Sequence, residues 1–237
     1  MLKQTKSLSA LILLLVVITF SACETEDPGP LQVYEKEFSL IDFDRLEMGS
    51  AFNIQVVQSA NFSIHAKGDR RNIDDLKVFK SGSTLIVKFD EYTNRIHETY
   101  ITIAMPSLEA INFSGASTST IKGFGSDENL DVYLSGASVC QLIGDYREID
   151  LILSGASSLL LNGQGYEISA EISGASLLTA FDYPVQQASV SLSGGSIGKV
   201  SVTDELIAVA TGASSLLYHG NPAVTSNVSG ASIVQQD

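Results

Sequence analysis

The stretch LSGASVC at residues 134–140 is followed by LSGASSLL at residues 153–160, and this near-repetition decides the fold. Seven related motifs occur in the chain, two of them with a substitution, at Gly195 and Thr211. Their central glycines are Gly115, Gly136, Gly155, Gly174, Gly194, Gly212 and Gly230, so successive steps are 21, 19, 19, 20, 18 and 18 residues. A period near twenty residues is typical of a solenoid, in which each repeat forms one coil. A catalytic motif is needed only once, so the recurrence predicts an architectural role.

Apolar residues alternate with polar ones ahead of each glycine. Leu134 and Leu153 stand two positions before their glycines, and Val132 and Leu151 stand four positions before. A period of two predicts a strand with one buried face. A second glycine follows the first by eight positions in four repeats, at Gly123, Gly144, Gly163 and Gly220. Each repeat therefore reads as strand, small-residue corner, strand and glycine turn.

A unit this short cannot bury its apolar face alone, so its copies must stack with like residues above one another, about 4.8 Å apart. The sequence thus predicts an all-β protein, a right-handed parallel β-helix or solenoid with about seven regular C-terminal coils over residues 114–237. At the corners, glycine adopts torsions closed to other residues, and we expect the stacked serines to share hydroxyl hydrogen bonds.

Residues 34–113 are less regular and more charged, and they predict an irregular β part or cap. A cap is needed because an open end of a solenoid exposes unpaired strand edges. The segments FNIQVVQ at 52–58 and FSIHAKGD at 62–69 alternate well enough to be early coils or part of this cap. The predicted strands are Glu35–Leu40, Phe52–Gln58, Phe62–Lys67, Thr84–Asp90 and Thr99–Ala104, with a helical turn over Arg71–Leu76.

The N-terminus has the pattern of an export signal. Residues 1–22 hold Lys3 and Lys6, an apolar run and small residues before Cys23, which predicts a signal peptide. FSAC at 20–23 resembles a bacterial lipobox, so we expect lipidation of Cys23, residues 23–33 as an acidic linker, and a membrane as a partner through the lipid anchor. An ordinary secretory signal is the alternative.

Charge and cysteine content exclude other classes. The formal net charge is −13, and the repeats hold only Lys122, Arg147 and Lys199 as basic residues. Nucleic acid is therefore not an expected partner, because phosphate binding needs clustered Lys and Arg. Cys140 lies four positions after its glycine, where other repeats have leucine, so we predict a small core residue rather than a reactive thiol.

Three segments in order carry a family resemblance: MGSAFNIQVVQ at 48–58, GDRRNIDDLKVFKSGSTLIVKF at 68–89, and YITIAMPSLEAINFSGAS at 100–117. Together with the serial repeats, this order resembles the head GIN domain family of auto-transporter adhesins, often exported lipoproteins of Gram-negative bacteria. The resemblance implies a β-helical fold and an adhesin-like role, and it supplies no catalytic residues. It also implies an outer-membrane location, because the acidic ETED at 24–27 resembles the signal by which such lipoproteins reach the outer face of that membrane. A plain soluble linker, with the solenoid facing the periplasm, is the alternative.

Other chemistry has weaker support in the sequence. Polysaccharide lyases also use β-solenoids, and Asp131, Asp150 and Glu171 are the acidic residues an enzyme or a calcium site would use. They do not form one column by their spacing from the glycines, so a solvated acidic face is expected, with calcium left open. His65 and His97 show no ligand spacing, and no metal, cofactor or catalytic residue is predicted.

The remaining alternatives concern binding. Five aromatic residues of the repeats would serve a binding surface if they are exposed: Tyr133, Tyr146, Tyr166, Phe181 and Tyr183. We therefore predict a non-enzymatic, lipid-anchored envelope protein with an adhesin-like or scaffolding surface, whose partner is a glycan or an envelope protein. A carbohydrate-active enzyme and a solenoid that assembles end to end are the alternatives.

Overall fold

The computed structural model describes residues 29–91, 95–125 and 129–237. The chain divides into Met1–Pro30, of which only residues 29 and 30 are described, and the compact unit Leu31–Asp237. The predicted signal peptide, Cys23 and most of the linker lie outside the described residues. The described strands are β1 Val33–Phe38, β2 Arg45–Met48, β3 Asn53–Gln58, β4 Ser63–Asp69, β5 Leu76–Ser81, β6 Thr84–Phe89, β7 Thr99–Met105, β8 Ala110–Phe113, β9 Thr118–Gly125, β10 Asn129–Leu134, β11 Val139–Leu153, β12 Ser158–Asn162, β13 Gly165–Ile172, β14 Leu177–Leu192, β15 Ile197–Ala210, β16 Ser215–His219, β17 Ala223–Val228 and β18 Ile233–Gln236. Among the described residues, helix α1 spans Arg70–Asp74.

The C-terminal repeats form a parallel β-solenoid, which confirms the predicted fold class. The strand before each corner pairs in parallel with the corresponding strand of the next coil, through β8, β10, β11, β13, β14, β15 and β17. The strand after each corner does the same through β9, β11, β12, β14, β15, β16 and β18. Leu134 faces Leu153, and Leu153 faces Ile172, so like residues stack in columns and fill the core.

The Ser-Gly-Ala-Ser corners stack as backbone on backbone. The N–H of Ala156 donates to the carbonyl of Gly136 at 2.7 Å, and the same contact recurs along the stack. Gly155 has a φ of +76°, and a Cβ there would lie 2.6 Å from the carbonyl oxygen of Gly136. The last serine of each motif is buried, and the predicted hydroxyl contacts occur, for example at 3.3 Å between Ser157 and Ser176. The motif is therefore a bend that only very small residues can build.

The stacking order in the N-terminal part differs from the chain order. β2 pairs in parallel with β6 on one side and with β8 on the other. β3 lies between β7 and β9 in the same way. The first coil of the chain, β2–β3, is thus inserted between the coils β6–β7 and β8–β9. FNIQVVQ, which the sequence left open as an early coil or part of the cap, belongs to this first coil.

The outermost layer of the N-terminal part is antiparallel. β4 pairs with β7, β1 pairs with β4, and β5 pairs with β6, all antiparallel. FSIHAKGD therefore belongs to the cap. The five predicted strands and the helical turn are present within a few residues of their predicted bounds, whereas β2 and β5 were not predicted.

Asp69 holds the helix to this cap. Its carboxylate is 1% exposed and accepts hydrogen bonds from the N–H of Gln32 at 3.0 Å and the N–H of Arg71 at 3.0 Å. The Arg71 guanidinium donates two more, both at 2.6 Å. These bonds, above all those from the Arg71 side chain, hold the pKa of Asp69 well below its usual range.

Candidate functional site

An open groove runs along the glycine-turn edge of the solenoid, opposite the Ser-Gly-Ala-Ser corners. Its volume is about 650 Å³. Polar and aromatic side chains line it: Asp145, Arg147, Gln164, Tyr166, Gln186 and Thr203, with Gly165, Pro184 and Val185 among the remaining residues.

The register of the strands brings three of these side chains into one column. Tyr146 pairs with Gly165 and Glu148 pairs with Glu167, so Arg147 and Tyr166 occupy equivalent positions in adjacent coils. Glu167 in turn pairs with Gln187, which places Gln186 next in the same column. Successive members of the column are one coil apart, about 4.8 Å. The solenoid thus converts three residues that are distant in sequence into a line of neighbours.

The groove exists because the glycine turns are irregular. The register between β9 and β11 shifts between Ile143 and Asp145, and the register between β14 and β15 shifts twice between Ala180 and Gln187. A Cβ at Gly163 would lie 2.1 Å from the carbonyl oxygen of Gly144, so the turns stack without room for a side chain. The shifts and the missing side chains leave a depression at this edge.

A buried tyrosine fixes the base of the groove. The hydroxyl of Tyr183 donates to the carbonyl of Tyr146 at 3.0 Å and accepts from the N–H of the same residue at 3.0 Å. Its ring passes Gly165, where a Cβ would lie 2.8 Å from the Tyr183 hydroxyl. Burial raises the pKa of Tyr183 to about 12, with a smaller contribution from the charge of Asp145, so the hydroxyl stays protonated. The groove floor is therefore preorganised.

The rim of the groove carries both signs of charge. Arg147, one of the three basic residues of the repeats, lies 3.4 Å from the carboxylate of Glu148; the Arg147 side chain is exposed to water and that of Glu148 is half-buried. Asp145 accepts a hydrogen bond from the N–H of Gln164 at 3.0 Å. Asp145 is the one carboxylate among the described residues that line the groove, whereas the carboxylates of Glu148 and Asp204 lie beside the groove and contact Arg147 and Thr203.

The aromatic residues singled out in the sequence separate into three environments. Tyr133 and Tyr166 are 40% and 38% exposed, as a binding surface requires, but only Tyr166 lines the groove. Tyr146 and Tyr183 do not meet the condition for a binding surface, since both are fully buried. Their rings fill the space that the irregular turns leave inside the coil.

Phe181 belongs to the third environment, a stack outside the groove. Its ring lies on His219, with 3.8 Å between the ring centroids and 12° between the planes. The ammonium group of Lys199 lies 6.0 Å from the Phe181 centroid. These contacts give His219 a structural partner on the solenoid surface.

The acidic residues of the repeats do not form one column, as their spacing predicted. Asp131 and Asp150 face each other directly in adjacent coils, whereas Glu171 belongs to the neighbouring column, opposite Ile152. The carboxylate of Asp131 lies 3.6 Å from Arg45. Within the ranges that the structure describes, no three His, Cys, Asp or Glu side chains are placed to hold a metal ion.

Cys140 is a core residue, as predicted. It is 1% exposed and stacks on Leu159 of the next coil. Burial raises the pKa of its thiol to about 12, so it carries no thiolate at neutral pH.

Gln164, Gln186 and Thr203 were not identified from the sequence. Gln164 lies in a glycine turn, Gln186 follows Pro184 and Thr203 lies within β15, and each of these segments reads in sequence as a simple connection between coils. A signal was present in the twenty-residue step between Gly174 and Gly194, where the extra length forms the bulge at Pro184.

Comparison with known proteins identifies the family. The model of the family described as "Putative auto-transporter adhesin, head GIN domain" matches residues 42–222. The chain belongs to this head GIN domain family. No curated protein is significantly similar to the chain. No described helix of this head GIN protein is long and apolar enough to cross a membrane.

Solved structures share the fold of this head GIN protein. A putative adhesin from Bacteroides fragilis is 18% identical with a TM-score of 0.80, covering 87% of this chain and 97% of its own. A putative adhesin from Parabacteroides merdae is 16% identical with a TM-score of 0.69, covering 88% and 98%. A putative lipid binding protein from Parabacteroides distasonis is 15% identical with a TM-score of 0.63, covering 86% and 96%.

Proposed function

We propose that this protein is a non-enzymatic, lipid-anchored component of the cell envelope whose groove binds a neutral glycan in an adhesin-like manner. The column formed by Arg147, Tyr166 and Gln186 carries the proposal, because it places a ring, a cation and an amide side by side along an open groove. The family and the names of the similar structures support an adhesin-like role.

The groove chemistry suits a sugar. Each hydroxyl of a sugar both donates and accepts, and the glutamine amides offer both functions. The Thr203 hydroxyl donates to Asp204 at 2.7 Å, so it serves as an acceptor. The exposed Tyr166 ring provides an apolar surface against which the C–H face of a pyranose packs. A net charge of −13 repels anionic polymers, which favours an uncharged ligand.

The same lining supports binding without turnover. Hydrolysis of a glycosidic bond in most families uses two carboxyl groups on either side of the bond. Asp145 has no second carboxylate beside it among the described groove residues. Turnover of any glycan that is abolished by changing Asp131, Asp150 or Glu171 would overturn the non-enzymatic assignment.

The test of the groove is a glycan-array screen with the Leu31–Asp237 unit, followed by calorimetry on the glycans retained. We expect Tyr166→Ala to weaken binding by about 1 kcal/mol or more, roughly fivefold in Kd. Tyr133→Ala is the matched control, since Tyr133 is equally exposed but lies outside the groove. Equal losses in the two variants, or none in either, would refute binding in the groove.

The proposed anchor has a separate test. Two acyl chains are enough for stable membrane attachment, whereas one is marginal. Cys23→Ala should move the protein from the membrane fraction to the soluble fraction. Protease added to intact cells should remove the wild-type solenoid if it faces outward, and resistance under conditions that shave a known surface protein would place it in the periplasm.

A further inference from the structure

The two ends of the solenoid are built differently. The N-terminal end terminates in the antiparallel strands β1 and β5, and both strands carry charged residues, three in β1 and two in β5. On these strands Glu35 pairs with Lys67 at 2.8 Å, and Lys77 pairs with Asp90 at 3.2 Å. Charged side chains on an outer strand disfavour pairing with another chain. This end is therefore closed to a further parallel coil.

The C-terminal end is open. β17 and β18 form the last coil, and no described strand pairs with their outer edges. Val224 and Val228 are 41% and 42% exposed, whereas Leu206 and Ala210, which occupy the same columns one coil earlier, are both at 0%. The side chains that point into the core column are thus left uncovered at this end.

The backbone of the last coil has hydrogen-bond partners on one side, in the preceding coil. The N–H of Ser229 donates to the carbonyl of Ala210, the coil before, at 2.9 Å. In a parallel strand, alternate residues direct both backbone groups to the same side. Thr225 and Asn227 share the direction of Ser229, so the N–H and C=O groups of Val224, Ser226 and Val228 point outward. They form a row of donors and acceptors ready for another strand.

Within β17 and β18 this edge carries no charge and no proline; Pro222 precedes β17 and Asp237 follows β18. Residues 206–236 contain no Asp, Glu, Lys or Arg, although 41 such residues occur in the chain. Natural sheets guard exposed edges with charges, prolines or bulges. The protein is otherwise strongly acidic, and an uncharged edge offers two copies of the chain a contact without electrostatic repulsion.

We propose that the last coil, β17 and β18, is an interface with the last coil of a second copy of this chain. The antiparallel, charged strands of the N-terminal end disfavour head-to-tail stacking, so the two copies meet end to end through a two-fold axis. Their edge strands then pair antiparallel, Val224 and Val228 become buried, and the assembly stops at a dimer. A two-fold contact uses the same patch twice and leaves no free copy of it for growth into a filament.

The experiment measures the mass of the untagged Leu31–Asp237 unit, which contains every described strand, by sedimentation over a concentration series. We expect a monomer–dimer equilibrium in the wild type and a monomer for Val228→Lys. Val139→Lys is the matched control, since Val139 is 48% exposed on β11, several coils from the end, and should leave the dimer intact.

Hydrogen exchange keeps the test independent of the variants. The amides of Val224, Ser226 and Val228 should become protected as wild-type concentration rises, while those of β1 and β5 should not change. A monomer at every concentration, growth beyond a dimer, or a dimer that Val228→Lys leaves intact would each overturn the proposal. Loss of glycan binding in the Tyr166→Ala variant does not bear on it.

Discussion

Replacing Gly155 by alanine tests the stacked corners directly. Gly155 has a φ of +76°, and its Cβ would lie 2.6 Å from the carbonyl oxygen and 3.1 Å from the nitrogen of Gly136. The left-handed conformation costs a residue with a Cβ about 1–2 kcal/mol. Pushing the corner below away from the new methyl group adds roughly 1–3 kcal/mol, the range for overpacked cores. We expect a total loss of about 2–5 kcal/mol in the free energy of unfolding.

Two other glycines separate these contributions. Gly82, between β5 and β6, has a φ of +62° with nothing within 4 Å of its Cβ position, so Gly82→Ala should show the conformational cost alone. Gly195 replaces the usual alanine of the motif, has no positive φ, and its Cβ would approach nothing closer than 3.9 Å. Gly195→Ala should therefore leave stability unchanged or raise it by about 0.4–1 kcal/mol.

The assay is chemical denaturation of the Leu31–Asp237 unit and its variants, with thermal melting as a second measurement. For a domain of this size, the Gly155→Ala loss corresponds to a lowering of Tm on the order of 10 °C. If Gly155→Ala destabilises no more than Gly82→Ala, the close approach of the stacked corners is refuted. If Gly195→Ala is as damaging as Gly155→Ala, the register of the corner is wrong.

Three further predictions follow from the buried polar groups. Tyr183→Phe should lower the free energy of unfolding by about 1–3 kcal/mol in a denaturant titration, because it leaves the buried N–H and C=O of Tyr146 without the hydroxyl; an unchanged midpoint would contradict that role. Cys140 should react with a maleimide at pH 8 only as fast as the protein unfolds, and rapid labelling of the folded protein would contradict its burial and raised pKa. The folded pKa of Asp69 is lowered below the ordinary 3.8, so the contribution of its carboxylate to folding stability is complete above about pH 4 and is lost as the pH falls towards the folded pKa. Asp69→Asn should therefore be less stable than the wild type at pH 7 and should lose less stability than the wild type between about pH 4 and pH 2. Parallel stability–pH profiles for the two proteins would refute this.

The repeats were predictable because their information is local. A strand with period two, a glycine where φ must be positive, and a step near twenty residues together define one coil, and stacking follows from the need to bury its apolar face. The burial of Cys140 and the hydrogen bonds of the corner serines follow from the same alignment. The family resemblance came from these repeats and from the order of the three segments at 48–58, 68–89 and 100–117.

The N-terminal topology was not predictable from local pattern. Nothing in FNIQVVQ or in the β2 segment indicates that the first coil lies between the second and the third. β2 pairs in parallel with both β6 and β8, which are distant in sequence. Which distant strands pair depends on how their apolar faces pack together in the fold. The strands of the cap read the same in sequence whether they pair parallel or antiparallel.

The sequence by itself determined the solenoid, its coil length and the acidic, nearly cation-free character of the repeats, because each is a property of one repeat or of composition. Tertiary structure alone decided which tyrosines are buried, which side chains share the groove and which end of the stack is open. The reason is physical: Arg147, Tyr166 and Gln186 lie about twenty residues apart in sequence and become neighbours only through the register of adjacent coils. A shift of one residue in that register would turn each of these side chains to the other face of its strand.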